Sequence, residues 1–176
     1  MHSSSPSSSE YSPYFARYIS LVPEGLFLAV LGRQPEDYQA LLGKLSANQA
    51  SYRYAPGKWS IRQVVGHVVD AERVFAYRAL CISRGEVVSL PSFDESAYED
   101  RAGHDTLELR ELLEEFALVR RANFALFRHM DEAAWQRTGT VNQNAISVRG
   151  LGYIMAGHAQ HHAGILKERY AAALAG

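Results

Sequence analysis

Three histidines fall within five residues near the carboxyl end of the chain, at His158, His161 and His162. His158 and His162 are four residues apart, so on a helix they lie one turn apart and about 40° apart around the helix axis. Two imidazoles in this arrangement can bind one divalent cation through their ring nitrogens, which zinc accepts at about 2.0–2.1 Å. Such a pair also arises by chance, so it predicts a metal site only together with a further ligand.

The apolar residues around these histidines predict the helix that carries them. They recur at steps of three and four from about residue 147 to residue 170: Val148, Leu151, Ile154, Met155, Ile165 and Leu166. His158 and His162 fall within this stripe, and His161 falls at its edge. We therefore expect the first two side chains to point into the protein and His161 to be partly outside. A metal ion would remove the cost of burying unpartnered imidazoles, about 1–3 kcal/mol for each unsatisfied group.

His67 is the candidate third ligand, and it belongs to a different predicted helix. A capping-box spacing at Ser60 and Gln63 and an apolar stripe that reaches Ile82 predict a helix that ends at Arg84. His67 lies at one margin of that stripe, from which its side chain could reach a neighbouring helix. Three neutral imidazoles leave coordination positions open for water or substrate, as is typical of catalytic metal sites. The alternative for His67 is a histidine on the helix surface.

Two further polar residues could assist such a site. Asn123 lies on the apolar stripe of the next predicted helix, where it could bond a metal-bound water or a substrate; the alternative is a core amide paired to a neighbouring helix. Asp70 follows His67 by three residues and could orient an imidazole. Its alternative is a solvated carboxylate on the helix surface. We expect no part in the site for the other histidines, which are His2, His104 and His129.

Composition restricts the kind of protein that carries these residues. A length of 176 residues fits one domain that can bury its own core. Eighteen basic and nineteen acidic residues give a net charge of −1, which offers no electrostatic case for a nucleic-acid or membrane partner. The single cysteine, Cys81, excludes an intrachain disulfide and a multi-cysteine metal site, and it favours a reducing compartment. The apolar runs are far shorter than the roughly 20 residues of a membrane span.

Four amphipathic helices are predicted, and no segment of useful length alternates as a strand does. Besides the two helices that carry the histidines, one is predicted to start at Pro35 and to continue to Leu45. The other starts at Asp105, which has the capping-box spacing with Glu108, and continues to Met130. These elements predict an all-α fold, a four-helix bundle.

The segments outside these helices are assigned as follows. The serine-rich residues 1–10 are expected to form a disordered leader, and residues 11–176 a single domain, which begins with an arm and a short helix at residues 25–32. The connections at residues 83–104 and 131–146 are longer than a simple up-and-down bundle needs. Long connections are either functional lids and interaction arms or crossovers that contain a short helix, for which residues 131–136 are a candidate.

Four segments together resemble the DinB/YfiT-like superfamily of four-helix-bundle proteins. They are Tyr-Ala-Pro-Gly-Lys-Trp-Ser-Ile at residues 54–61, Gly-His-Val-Val-Asp-Ala-Glu-Arg at 66–73, Leu-Pro-Ser-Phe-Asp-Glu at 90–95 and Gly-His-Ala-Gln-His-His at 157–162. The resemblance extends from about residue 18 to residue 170. It implies that His67, His158 and His162 bind a divalent metal ion, with zinc or nickel expected, and all three histidines are present.

The resemblance also implies a cytoplasmic protein that is frequently a homodimer. Members of the superfamily resemble metal-dependent hydrolases, or transferases and isomerases that use low-molecular-weight thiols such as bacillithiol or mycothiol. We therefore expect a metal-dependent enzyme that acts on a small molecule by thiol transfer or hydrolysis. No general base accompanies the histidines in the sequence, which slightly favours thiolate delivery. The alternatives are a non-catalytic metal- or ligand-binding bundle and a dimeric structural protein whose histidines are hydrogen-bonded core groups.

Overall fold

Four long helices form the body of the protein in the computed structural model, which describes residues 4–175. In chain order the helices are α1 (Ala16–Ile19), α2 (Phe27–Leu42), α3 (Ala47–Ala50), α4 (Ile61–Ser83), α5 (Glu95–Ala102), α6 (Leu109–Arg128), α7 (Glu132–Gln136), α8 (Val148–Arg169) and α9 (Ala171–Leu174). Helix α2 packs on α6 and α8, and α4 packs on the same two helices. The predicted four-helix bundle is therefore confirmed, with α2 diagonal to α4. None of the helices within residues 4–175 has the length and apolar character that spanning a membrane requires.

Serine caps begin the two helices that carry the histidines. The hydroxyl of Ser60 accepts a hydrogen bond from the backbone N–H of Gln63, whose side chain returns to the Ser60 backbone. The hydroxyl of Ser147 accepts from the backbone N–H of Gly150 at 2.8 Å. Both starts agree with the sequence prediction. Because each cap is worth about 1 kcal/mol, the caps help to fix where His67 and His158 fall along their helices.

Helix α2 differs from the prediction, because the two expected segments are one continuous helix with Pro35 inside it. Proline removes one backbone donor from a helix interior, which normally weakens the helix. Here the side chains on either side of it bind the neighbouring helix: Gln34 Nε2 donates to the Ala156 carbonyl at 2.7 Å and the Tyr38 hydroxyl to the Ala159 carbonyl at 2.8 Å. These contacts with α8 support the helix through the proline.

Helix α6 begins at Leu109, later than predicted, and Asp105 lies in the 3₁₀ turn His104–Thr106 that precedes it. The Asp105 carboxylate accepts hydrogen bonds from the Ser60 hydroxyl and the Arg53 guanidinium. The predicted capping residue of α6 is thus engaged at the start of α4, a long-range contact that local spacing does not indicate.

A two-stranded hairpin was not predicted and lies between α7 and α8. Strand β1 (Thr138–Val141) pairs antiparallel with β2 (Asn144–Ser147), and the turn residues Asn142 and Gln143 have positive φ values of 47° and 61°. Four-residue strands are too short to show alternation, and the turn lacks the glycine that marks many hairpins. The backbone of Leu90 bonds the hairpin, so it holds the connection after α4 against β1.

Both long connections contain a short helix, as the crossover alternative expected. The connection after α4 contains α5, and the one after α6 contains α7, whose start is capped by the Asp131 carboxylate. The segment 131–136, the candidate for such a short helix, therefore contains α7.

Part of the segment expected to be a disordered leader has a fixed position. Residues 1–3 lie outside the described residues, but Ser8–Glu10 form a 3₁₀ turn. The Glu10 carboxylate accepts hydrogen bonds from Arg149 Nη2 at 2.6 Å and from the Ser147 hydroxyl at 2.7 Å. The following arm crosses α8 at Gly157, where the backbone of Tyr18 lies against the glycine.

A layer of buried polar side chains divides the apolar core into two parts. One part contains Phe27, Trp135 and Tyr153, and the other contains Tyr38, Phe116 and Leu166. Every long helix contributes to the polar layer between them, which contains Gln34, His67, Glu72, Arg120, Asn123 and His158.

Candidate metal centre

Three imidazoles from two helices converge within the polar layer. His67 comes from α4, and His158 and His162 come from adjacent turns of α8. The Nε2 atom of His158 lies 3.1 Å from the Nε2 atom of His67 and 3.1 Å from that of His162. A ligating nitrogen from each ring lies within 4.8 Å of those of the other two. The side chains thus point their nitrogens at one common position.

Hydrogen bonds among the three imidazoles cannot satisfy all of the converging ring nitrogens. A neutral imidazole nitrogen either donates one hydrogen bond or accepts one, so His158 Nε2 cannot serve both neighbours well. Two nitrogens bound at about 2.0–2.1 Å to one tetrahedral ion stand about 3.3 Å apart, close to the observed separations. The donor set, with three nitrogens and no sulfur, suits zinc and nickel, and it leaves further positions open. The residues present therefore fit a divalent cation.

Burial keeps the three imidazoles neutral at pH 7. Loss of hydration lowers the pKa of His67 to about 4, with a smaller contribution from His104. Burial first, and the neighbouring imidazoles second, hold the pKa values of His158 and His162 well below 6.5. Because a metal binds the unprotonated nitrogen, all three side chains are ready to coordinate without first losing a proton.

The second ring nitrogen of His158 has no hydrogen-bond partner among residues 4–175, although it is completely buried. Most metal-bound histidines give this N–H to a carboxylate or a carbonyl, which fixes the tautomer. In His158 no neighbouring group performs that task. The position of its proton is therefore set by whatever occupies the Nε2 side.

The other three residues singled out from the sequence lie outside this convergence. Asp70 is half-buried and forms an ion pair with Arg73 at 3.8 Å. Asn123 donates from Nδ2 to Glu72 at 2.9 Å, which is the core-amide alternative. His161 is half-buried, and its ring centre lies 5.3 Å from that of His162 and 5.2 Å from that of Tyr18. His161 therefore borders the centre without joining it.

Sequence reasoning missed a buried ion pair in the same polar layer. Arg120 Nη2 donates to Glu72 at 2.6 Å, and Arg120 Nη1 donates to Gln34 at 2.7 Å. Burial raises the pKa of Glu72, and the Arg120 charge and the Asn123 hydrogen bond oppose that rise. The available signal was the spacing of Arg120 and Asn123, two polar residues three apart on the apolar face of α6.

His104, for which no part in the site was expected, is a buried side chain that packs against α4. Its ring is buried, and Nδ1 lies 2.7 Å from a carboxylate oxygen of Glu99. That hydrogen bond raises the pKa of His104. The ring fills the space beside Gly66, where any Cβ would collide with it. A glycine next to His67 within the helix was the signal that another group packs closely there.

A cavity of about 250 Å³ reaches His158 from one side. Its inner wall comes from α4 and α8, and its outer wall from the arm, the connection before α5 and the hairpin. The rings of Tyr18 and Phe75 lie with their centres 5.4 Å and 5.6 Å from that of His158. Arg78 and Glu95 supply charged groups to the same cavity.

A second cavity, of about 270 Å³, borders His162 and has no lining residue in common with the first. Tyr54, Lys58, Trp59 and Tyr170 form its walls. The Trp59 ring lies 5.0 Å from the ring of His67. The histidine cluster therefore stands between two separate cavities.

Comparison with known proteins supports the family and the fold. The model of the DinB superfamily matches residues 31–166. No curated protein matches the chain significantly by sequence.

Two solved structures resemble this one. YfiT from Bacillus subtilis, described as a probable metal-dependent hydrolase with an unusual four-helix bundle topology, is 19% identical, with a TM-score of 0.75 over 93% of this chain and 89% of its own. A mycothiol-dependent maleylpyruvate isomerase is 16% identical, with a TM-score of 0.66 over 83% of this chain. The match covers 61% of the isomerase chain. At these identities the likeness establishes the shared fold.

Proposed function

The chain belongs to the DinB superfamily, and we propose that it is a divalent-metal-dependent enzyme that acts on a small molecule. The observation that carries the proposal is the convergence of the Nε2 atoms of His67, His158 and His162. Zinc or nickel is the proposed ion, because neutral imidazoles suit both. The structurally similar YfiT, described as a probable metal-dependent hydrolase, agrees with this choice of chemistry.

The bound ion supplies Lewis acidity, which brings the pKa of a coordinated water or thiol toward neutrality. The protein groups around it have separate tasks. The rings of Tyr18 and Phe75 pack against the His158 ring on the side of the first cavity and hold it in place. Glu95 lies in the same cavity, and partial burial raises the pKa of its carboxyl. Glu95 is therefore the candidate to accept or return a proton, a group that the sequence did not reveal.

Thiol transfer and hydrolysis are the two proposed reaction types, and each has its own support. Two separate cavities beside the histidines favour thiol transfer, since a low-molecular-weight thiol and an electrophile could enter from different sides. Glu95 favours hydrolysis, since activation of water benefits from a nearby base. We also propose a cytoplasmic homodimer without nucleic-acid or membrane partners, on the family resemblance and the near-neutral charge.

Metal counting tests the proposal first. Protein purified without a metal-affinity step should contain or take up about one zinc or nickel ion per chain. A content under ~0.1 ion per chain that soaking with zinc or nickel does not raise would contradict both the enzyme and a non-catalytic metal-binding bundle.

An activity screen separates the enzyme from a non-catalytic bundle. The metal-loaded protein is assayed with bacillithiol or mycothiol plus electrophiles, and with ester and amide substrates. His158→Ala should abolish any turnover, and His161→Ala should retain it. Turnover that survives in the His158→Ala variant would show that the histidine cluster is not the catalyst.

A further inference from the structure

Arg78 is a buried cation in the wall of the cavity that reaches His158. Its side chain is part of α4, and the residue is 6% exposed. Nη2 donates to the Pro91 carbonyl at 2.7 Å, and the guanidinium lies 5.6 Å from the ring centre of Phe93. Within residues 4–175 no acidic side chain forms an ion pair with Arg78. Arg120, a more deeply buried arginine of the same bundle, is by contrast paired with Glu72 at 2.6 Å.

A buried guanidinium without an anion is incompletely compensated. Removing a charge from water is costly unless an opposite charge and hydrogen bonds replace the hydration. One carbonyl uses one of the five N–H donors of Arg78. Loss of hydration lowers the pKa of Arg78, and Tyr98 opposes this in part. The group can therefore gain from an anion that enters the cavity.

The other residues that line the cavity indicate the chemical character of the rest of the ligand that carries this anion. Aromatic rings line it on several sides: Tyr14, Phe15, Tyr18, Phe75 and Phe93. A volume of about 250 Å³ suits a small molecule. Apolar walls with a few polar groups favour a ligand that has an apolar or aromatic body and one charged end.

We propose that this cavity binds a small carboxylic acid, whose carboxylate is held by Arg78 and whose apolar or aromatic body lies among the rings beside His158. Arginine suits this task because its planar donor pair matches the two carboxylate oxygens. The identification of this acid as the substrate rests on the proposed function, whereas its binding does not require the metal.

Glu95 is the other charged group of the cavity and does not compete for Arg78. Within residues 4–175 the two side chains form no ion pair. Partial burial raises the pKa of Glu95, the charge of Arg17 opposes this rise, and Asp94 adds to it. The Glu95 carboxyl therefore takes up a proton more readily than a solvated glutamate does. In its protonated form Glu95 can donate a hydrogen bond to a ligand whose carboxylate is bound by Arg78.

Calorimetric titration of the full-length, metal-free protein tests the proposal with defined probes. Benzoate, phenylacetate and cinnamate are each compared with the corresponding primary amide. Each acid should bind at least about tenfold more tightly than its amide, since a charge-assisted pair with arginine is replaced by a neutral contact. Chelator-treated protein is used so that a carboxylate cannot bind through the metal.

Variants of Arg78 assign the preference to this residue. Arg78→Gln should remove the preference for acids, and Arg78→Lys should keep part of it, because lysine retains the charge and loses the paired donors. The matched control is Arg73→Gln on the same helix, an exposed arginine paired with Glu115 at 2.6 Å. This control should retain the full preference.

Three results would overturn the proposal: no measurable binding of any acid, amides that bind as tightly as acids, or an undiminished preference in Arg78→Gln. If Arg78→Gln does not fold, as judged by circular dichroism, the wild-type comparison of acid with amide and the Arg78→Lys variant decide. Failure of this proposal can be distinguished from failure of the proposed function. Acid binding is measured on the metal-free protein, whereas the proposed function is tested by metal counting and turnover.

Discussion

At the scale of single residues, the chemistry of the centre depends on burial of the three imidazoles. Each has a pKa lowered first by loss of hydration, so the nitrogens stay unprotonated near pH 7. A buried cluster of imidazoles without a ligand would be unfavourable, because His158 Nε2 lies 3.1 Å from two other ring nitrogens and can share a hydrogen bond well with only one of them. A cation bound among the three nitrogens would replace this unfavourable contact with coordination.

His162 and His161 are adjacent and provide a sharp test of which imidazole coordinates. His162→Ala should weaken zinc binding by at least about 10–100-fold, the loss that even an outer partner of a metal ligand causes. His161→Ala should leave affinity nearly unchanged, because its ring borders the cluster without joining it. Competition titration against a chromophoric chelator measures both. Equal losses in the two variants would contradict the assignment.

At the scale of elements, the arm, the helices and the connections bring the site residues together. The arm crosses α8 next to His158, the connection before α5 contributes Phe93 to the cavity, and the first residue of α5 contributes Glu95. The hairpin is tied to the same connection through Leu90. Thus the bundle helices supply the histidines, and elements outside the bundle form the outer wall of the cavity beside them.

The crossing of the arm over α8 requires a glycine at residue 157. A Cβ at this position would collide with the Tyr18 carbonyl, so Gly157→Ala should lower the free energy of unfolding by at least about 1–3 kcal/mol. Gly164→Ala on the same helix meets no atom within 4 Å and should raise it by about 0.5–1 kcal/mol through better helix propensity. Urea unfolding measures both changes. A neutral Gly157→Ala variant would mean that the arm does not press on α8.

The sequence was sufficient for some elements and insufficient for others, for identifiable reasons. The capping-box spacing of Ser60 and Gln63 predicted the start of α4, because a cap is a local interaction, and the apolar stripe predicted the start of α8. Pro35 was wrongly predicted to begin a helix, because hydrogen bonds to α8 support α2 through the proline. Asp105 was wrongly predicted to begin α6 for a similar reason, since its carboxylate binds the start of α4.

The same distinction between local and distant contacts applies to the site. The helical periodicity and the family resemblance selected His67, His158 and His162, and the structure brings their nitrogens together. Arg78, Glu72 and His104 were not selected, because their partners are far along the chain or their place depends on packing. A charged residue at an apolar position of a helix is the signal that such partners exist.

At the scale of the whole molecule, the polar layer links all four long helices at one level. Glu72 of α4 binds Arg120 and Asn123 of α6, Arg120 binds Gln34 of α2, and Gln34 binds the Ala156 carbonyl of α8. Sliding one helix by a turn would break these bonds. The network therefore specifies the relative heights of the helices, and with them the meeting point of the three imidazoles.

Two ion pairs between the same helices allow the contribution of this layer to be measured. Glu72→Gln leaves the buried charge of Arg120 uncompensated and should lower the free energy of unfolding by about 3–5 kcal/mol. Glu115→Gln breaks the exposed pair with Arg73 and should cost at most about 1 kcal/mol. Chemical denaturation compares the two. Similar small losses would show that the layer is not a determinant of stability.

The attachment of the amino-terminal segment should depend on pH through Glu10. Burial alone would raise the pKa of Glu10, but the hydrogen bonds from Arg149, Ser7 and Ser147 overcome it and lower this pKa from 4.5 to about 2. A carboxyl with a lowered pKa stabilises the fold above pH 4.5, and this contribution is lost as the pH falls from 4.5 towards 2.

Glu10→Gln should therefore lower the free energy of unfolding by about 1 kcal/mol at pH 7, after allowance for screening by solvent, and the difference should vanish near pH 2. Denaturant titrations at several pH values measure the difference, with the exposed Glu24→Gln as control. A difference that is independent of pH would contradict the assignment of the effect to this ion pair.

The histidine cluster and the outer wall of the cavity are built from different parts of the chain, so each can change in evolution without the other. The proposed metal ligands lie on long helices whose heights are fixed by buried bonds, whereas the outer wall of the cavity consists of an arm, a connection and a hairpin. Substitutions or length changes in those three segments can alter which molecule enters without disturbing the histidine cluster. One bundle can in this way come to bind new small molecules through changes at its periphery, while the three histidines stay in place.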